Sequence, residues 1–217
     1  MLMLIYGIVE GIPYKMMHHF GLQINKDTYT SYVKDVGYLI AEELERDRRN
    51  PLNQFLNAKA DEVAFGTRKY YRGRRVRKHT GVQWGLTIVE VCPVTKSPVK
   101  MDLQMLMYNT RSAEVITPLI VQRCKPGGTL TTDCWKAYPA VAKAAGVIHR
   151  TVNHSVEFVN RETGACTNRV EGLHGVLKKD SRSQFGRLPY LTQNGDTYYL
   201  DLLVFRCNCR LQKKHVF

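Results

Sequence analysis

The chain has 217 residues, 44% of them hydrophobic, a share that excludes wholesale disorder and allows one good core plus a small appendage. Its 32 basic and 19 acidic residues leave a formal net charge of +13. A polyanionic partner is the simplest explanation of that excess, although a merely soluble basic protein shares the composition.

Residues 1–50 read as a small helical region. The apolar opening Met1–Val9 lacks a basic leader and stops at Glu10. It is too short to span a bilayer and reads as the buried face of a first helix. A second helical stretch starts at Pro13 and runs to Phe20, with Gly21 as its stop. A third covers about Lys26 to Arg48. Two helices around a glycine-containing turn outline a helix-turn-helix, in which Lys26, Thr28, Thr30, Ser31 and Lys34 would face nucleic acid. A small helical cap has the same pattern. The charged run Arg46 to Pro51 sets the boundary near residue 50, with a second domain over 51–217.

Beyond that boundary the period changes. Val82, Trp84, Leu86 and Ile88 alternate with other residues, as do Val99, Met101, Leu103, Met105 and Met107, whose opposite face carries Lys100, Asp102 and Gln104. Period two indicates strands with one buried face. Ser112 to Cys124 follows as a helix with Val115, Ile116, Leu119 and Ile120 as its stripe. Lys125-Pro126-Gly127-Gly128 then turns the chain into a short strand that delivers Asp133. A helix over Ala137–Ala145, a strand over Val147–Asn153 and a C-terminal helix over Asp196–Arg210 complete an α/β order. Asn57-Ala58-Lys59-Ala60 is a weak strand sequence ahead of Asp61. Six scattered cysteines contain no Cys-x-x-Cys pair, which argues against structural zinc and fits reduced thiols in an intracellular protein.

Three acids stand at the borders of these elements. They are Asp61 in Ala60-Asp61-Glu62-Val63, Asp133 in Thr132-Asp133-Cys134-Trp135-Lys136-Ala137-Tyr138, and Glu171 in Thr167-Asn168-Arg169-Val170-Glu171-Gly172. The order Asp, Asp, Glu suits two hard divalent cations, Mg²⁺ or Mn²⁺, which take few protein carboxylates when water and phosphate complete their shell. Each acid also has an ordinary reading. Asp133 suits a helix N-cap, Asp61 and Glu62 suit a solvated strand edge, and Asn168-x-x-Glu171 has the spacing of a capping box. Glu171, His174 and Lys178 share one face of a helix. Gly172 and Gly175 weaken that helix, which implies close approach by packed protein or substrate. The string Arg68, Lys69, Arg72, Arg74, Arg75, Arg77 and Lys78 is uninterrupted by acid and carries Tyr70 and Tyr71. Its charge density favours a DNA contact, with a solvated basic loop that could also serve nuclear import as the compatible alternative.

Taken in order, Asp61-Glu62, Phe65-Gly66, Arg68-Lys69-Tyr70, Arg72-Gly73-Arg74-Arg75-Val76, Gly127-x-Thr129, Asp133-x-Trp135-Lys136-Ala137-Tyr138, Thr151-Val152-Asn153-His154-Ser155 and Thr167-Asn168-x-x-Glu171-Gly172 resemble a Merlin-type DDE transposase, related to bacterial insertion-sequence transposases with an ISXO2-like DDE domain. The resemblance implies a ribonuclease-H-like catalytic domain, a mixed sheet flanked by helices. It makes Asp61, Asp133 and Glu171 the triad holding two ions, with Asn168 and Lys178 supporting them. It also implies cleavage and joining of DNA between terminal inverted repeats and a target, in a homodimer or larger assembly, in the nucleus if the source is eukaryotic. A non-catalytic DNA-binding descendant and a plain metal-dependent nuclease remain as alternatives. Cys166 stands where relatives commonly have histidine, and His174 where an aromatic is frequent.

Overall fold

The computed structural model describes residues 1–65, 83–152, 168–186 and 197–213, and the chain divides into two compact units. One unit comprises Arg48–His174 and the other Met1–Asp47 with Gly175–Phe217. The basic string Arg68–Lys78 lies outside the described residues.

Unit Arg48–His174 is built on a five-stranded sheet in the order β3-β2-β1-β4-β5. The strands are β1 (Phe55–Phe65), β2 (Gln83–Val91), β3 (Pro98–Met105), β4 (Cys124–Asp133) and β5 (Ile148–Val152). β1 pairs antiparallel with β2, and β2 with β3. β4 runs parallel to both β1 and β5. The parallel pairs need helical crossovers, which α3 (Ala113–Arg123) and α4 (Tyr138–Ala145) supply. Three antiparallel strands, then parallel strands joined by helices, form a ribonuclease-H-like fold.

The weak-looking segment before Asp61 is the central strand of this sheet. Ala58 and Ala60 are fully buried with Leu86, Ile88 and Leu130 of the flanking strands and Ile116, Ile120, Tyr138 and Val141 of α3 and α4. Small side chains let large ones from both helices reach the sheet, so packing decides here over intrinsic strand preference. The turn expected at Lys125–Gly128 is a bulge within β4, where the register against β1 moves from Phe55–Cys124 to Asn57–Thr129. Gly127 has a φ of 78°, and a Cβ on Gly128 would lie 2.6 Å from the Leu56 carbonyl oxygen, so only glycine passes so close.

Alternation along β3 places Asp102 on the polar face, yet the structure buries it. Its carboxylate accepts from Arg48 Nε at 3.0 and 3.1 Å, from Arg48 Nη2 at 2.9 Å, from Gln104 Nε2 at 2.9 Å and from the Leu103 amide at 3.0 Å. Arg123 Nε stands 3.7 Å away, its guanidinium 4.2 Å above the Phe55 ring. Both faces of the sheet are therefore covered, and a charge network occupies one of them.

The other unit gathers α1 (Leu2–Glu10), a 3-10 helix (Tyr14–Phe20), α2 (Lys26–Arg49, to Asp47 in this unit), the latter part of α5 (Asn168–Phe185) and α6 (Tyr198–Leu211). Leu4, Ile8, Val9, Met17, Tyr29, Val33 and Val36 pack with Tyr198, Tyr199 and Leu202. Arg206, fully buried, donates to the Ile8 and Val9 carbonyls and to Gln184 Oε1. It thereby serves the carbonyls that end α1, where a cation also complements the helix dipole. Burial lowers its pKa to about 10. Lys26, Thr30, Ser31 and Lys34 are exposed on α2. Among the described residues no helix is long and apolar enough to cross a membrane.

Removing the acid from the Arg48–Asp102–Arg123 network leaves buried guanidinium groups uncompensated, which costs about 3–5 kcal/mol. Asp102→Ala is expected to lower the unfolding free energy extracted from urea melts by that amount, and a loss below about 1 kcal/mol would show the network to be marginal.

Candidate metal centre

Asp61 and Asp133 reach the same edge of the sheet because of strand register. β1 and β4 pair in parallel through Ala58–Leu130 and Lys59–Thr131. Continued two residues, that register sets Asp61 beside Asp133, the last residue of β4. The carboxyl ends of parallel strands are where α/β sheets hold ligands. Asp133 Oδ1 accepts from the Trp135 amide at 3.0 Å. It does not cap α4, whose N-cap is Ala137, so that alternative for Asp133 is set aside.

Oxygens of Asp61, Glu62 and Asp133 all lie within 4.8 Å of one another. Glu62 is the member that sequence reading missed. Neighbours on a strand point to opposite faces, and Glu62 was paired in that reading with a solvated edge. In the structure its side chain is only 3% exposed, against 20% for Asp61. Its Oε1 and the Tyr138 hydroxyl are buried and meet no hydrogen-bond partner of good geometry among the described residues, although the hydroxyl is near enough to favour the charged form of Glu62. Arg111 Nη1 stands 4.0 Å from Glu62 Oε2. The signal available in the sequence was the pairing of Asp61 with a second acid.

The third acid comes from α5. Val170, Leu173 and His174 of this helix are buried, while Glu171 and Gly172 are exposed. Glu171 lies outside the trio within 4.8 Å, but its charge acts on Asp61. His174, three residues further along, presents Nδ1 4.0 Å from Asp61 Oδ2 and Nε2 2.8 Å from Thr87 Oγ1. Thr87 pairs with Asp61 across β1 and β2, so the hydroxyl orients the ring towards the acid. The side chain of Asn168 lies outside the described residues. Lys178 is half-buried on α5 and belongs to the other unit. A Cβ at Gly172 or Gly175 would meet no described atom within 4 Å. Among the described residues nothing packs against those two glycines. Lys136 is exposed, whereas Tyr138 is fully buried in the core. His149 is bonded to Thr132 Oγ1 at 2.9 Å.

The cluster is electrostatically unbalanced. Asp61 is pushed up to about 7, chiefly by burial and then by the charges of Glu62, Asp133 and Glu171. Burial likewise raises Glu62, against the opposing influence of Tyr138 and Arg111. Hard oxygen donors with surplus negative charge fit a divalent cation such as Mg²⁺ or Mn²⁺. An acid whose folded pKa exceeds its unfolded value stabilises the fold below the unfolded pKa, and that contribution is lost as pH rises through the folded one. Metal-free protein should therefore lose stability as pH climbs from 3.8 through about 7. Asp61→Asn is expected to flatten that part of the curve in denaturant melts. Parallel profiles for the two proteins would contradict the crowding of Asp61.

The ISXO2-like transposase domain matches residues 55–208, a span that includes all three acids. No curated protein matches the chain. Among solved structures, a chain of the cryo-EM structure of the simian T-cell lymphotropic virus intasome in complex with PP2A regulatory subunit B56 gamma aligns at 14% identity with a TM-score of 0.37. The alignment covers 73% of this chain and 51% of that one, so the present chain matches about half of its neighbour's length. The match over most of its length places this chain in the ISXO2-like transposase family.

Proposed function

We propose that this protein is a DNA transposase that cleaves strands at the ends of an element and joins them to a target. The observation that carries the reading is the meeting of Asp61, within β1, and Asp133, at the end of the neighbouring parallel strand β4. Membership of a transposase family implies use of a divalent metal. Asp61, Asp133 and Glu171 would hold two ions, Mg²⁺ or Mn²⁺, which when bound lower the pKa of an attacking water or 3′-hydroxyl and stabilise the leaving oxygen.

The remaining tasks fall to the chain itself. His174, steadied by Thr87, keeps the Asp61 carboxylate in one orientation. The basic string Arg68, Lys69, Arg72, Arg74, Arg75, Arg77 and Lys78 supplies phosphate contacts that position the strands. The exposed residues Lys26, Thr30, Ser31 and Lys34 of α2 offer a second surface for duplex DNA. Terminal inverted repeats and target DNA are the partners of this reading. Joining two element ends calls for at least two copies of the chain, and Asn168 and Lys178 support Glu171 from the same helix.

The test uses pre-cleaved terminal-repeat DNA, a target plasmid and Mn²⁺. Joined product is the expected outcome. Cleavage without joining would make the protein a nuclease, and binding without either would make it a non-catalytic descendant. Asp133→Asn is expected to abolish joining while leaving DNA affinity within about twofold. Full activity in that variant would remove Asp133 from the site.

A further inference from the structure

Arg111 lies in the segment between β3 and α3, just past the 3-10 turn Met107–Asn109. Its guanidinium carbon sits 4.1 Å from the centroid of the Trp84 ring and 4.5 Å from that of Trp135. Each indole is fixed by backbone. Trp84 is on β2, and its amide donates to Asn109 Oδ1 at 2.7 Å while its carbonyl accepts from the Leu106 amide at 2.8 Å. Trp135 is tied to Asp133 through the 3.0 Å bond from its own amide. Arginine stacks well on aromatic faces because its guanidinium is planar and weakly hydrated.

Stacking leaves the edges of the guanidinium unused. Arg111 makes no hydrogen bond to any described residue, and Glu62 stays at the 4.0 Å limit of an ion pair. The side chain is 32% exposed, whereas that of Glu62 is 3% exposed. The 4.0 Å pair with Glu62 engages one guanidinium nitrogen, and among the described residues the others have no hydrogen-bond acceptor. A guanidinium stacked on aromatic faces, with donors to spare among the described residues, is matched to a bidentate phosphate. We infer that Arg111 is a phosphate-binding residue, held by Trp84 and Trp135 beside the carboxylate cluster, and that it grips the DNA backbone next to the reacting phosphodiester. This inference rests on the transposase reading and adds a residue outside the basic string Arg68–Lys78. The clamp couples the grip to Asp133, because Trp135 contacts both.

The test is the salt dependence of DNA affinity, measured by anisotropy with labelled duplex in Ca²⁺ across a KCl series. Each lost phosphate contact reduces the slope of log K against log salt by about 0.9. Arg111→Gln is expected to show that reduction and to weaken binding about tenfold, in protein that retains a cooperative melting transition. A wild-type slope in Arg111→Gln would overturn the inference and leave the transposase reading standing. Wild-type protein without salt-dependent DNA binding would overturn both. Should Arg111→Gln fail to fold, Arg111→Lys decides the matter. Lysine keeps the charge and loses the planar fork, so the wild-type slope with weaker binding is expected, and undiminished affinity would overturn the proposal.

Discussion

Mutual repulsion among carboxylates at one edge of the sheet is the constraint on which the rest of this unit depends. Asp61, Glu62 and Asp133 offer oxygens within 4.8 Å of one another, and like charges at such separations disfavour ionisation unless a cation joins them. A fold that merely required solubility would disperse these acids. Here the parallel register of β1 and β4 and the orientation of His174 by Thr87 hold them together instead. Such surplus charge suits a divalent cation, and Glu171 adds to it from α5.

Buried charge is used differently elsewhere in the chain. Asp102 is satisfied by Arg48, Gln104 and a backbone amide, with Arg123 at longer range. Arg206 is satisfied by carbonyls at the end of α1 and by Gln184. Those groups have protein partners that complete their hydrogen bonding, so they serve architecture. Among the described residues Glu62 Oε1 lacks a close one, and the Arg111 guanidinium meets two aromatic faces and a carboxylate 4.0 Å away. Buried polar groups left short of partners are the ones with capacity for a bound ligand.

Much of the fold was legible in period-two alternation, which located β2 and β3, and in the apolar stripe of α3. The acids Asp61 and Asp133 were legible as members of ordered motifs at element borders. Alternation failed at Asp102, because it assumes that one sheet face meets water, whereas Arg48 and Arg123 cover that face. Local preference failed at Ala58 and Ala60, where residues far along the chain decide that only small side chains fit. The β4 bulge read as a turn, since Pro126, Gly127 and Gly128 signal a break without saying that pairing resumes on the same strand. Glu62 and Arg111 could not be assigned from spacing at all, and helical spacing set His174 near Glu171 without its contacts to Asp61 and Thr87. Their positions follow from the approach of β1, β2, β4 and α5, which is tertiary information.

The central claim is that Glu171 joins Asp61 and Asp133 in binding two metal ions, and crystals grown with Mn²⁺ test it most directly. Anomalous scattering at the manganese edge should reveal two ions, with a carboxylate oxygen of Glu171 coordinated to one of them. A single ion held by Asp61, Glu62 and Asp133, with Glu171 coordinating nothing, would contradict the account.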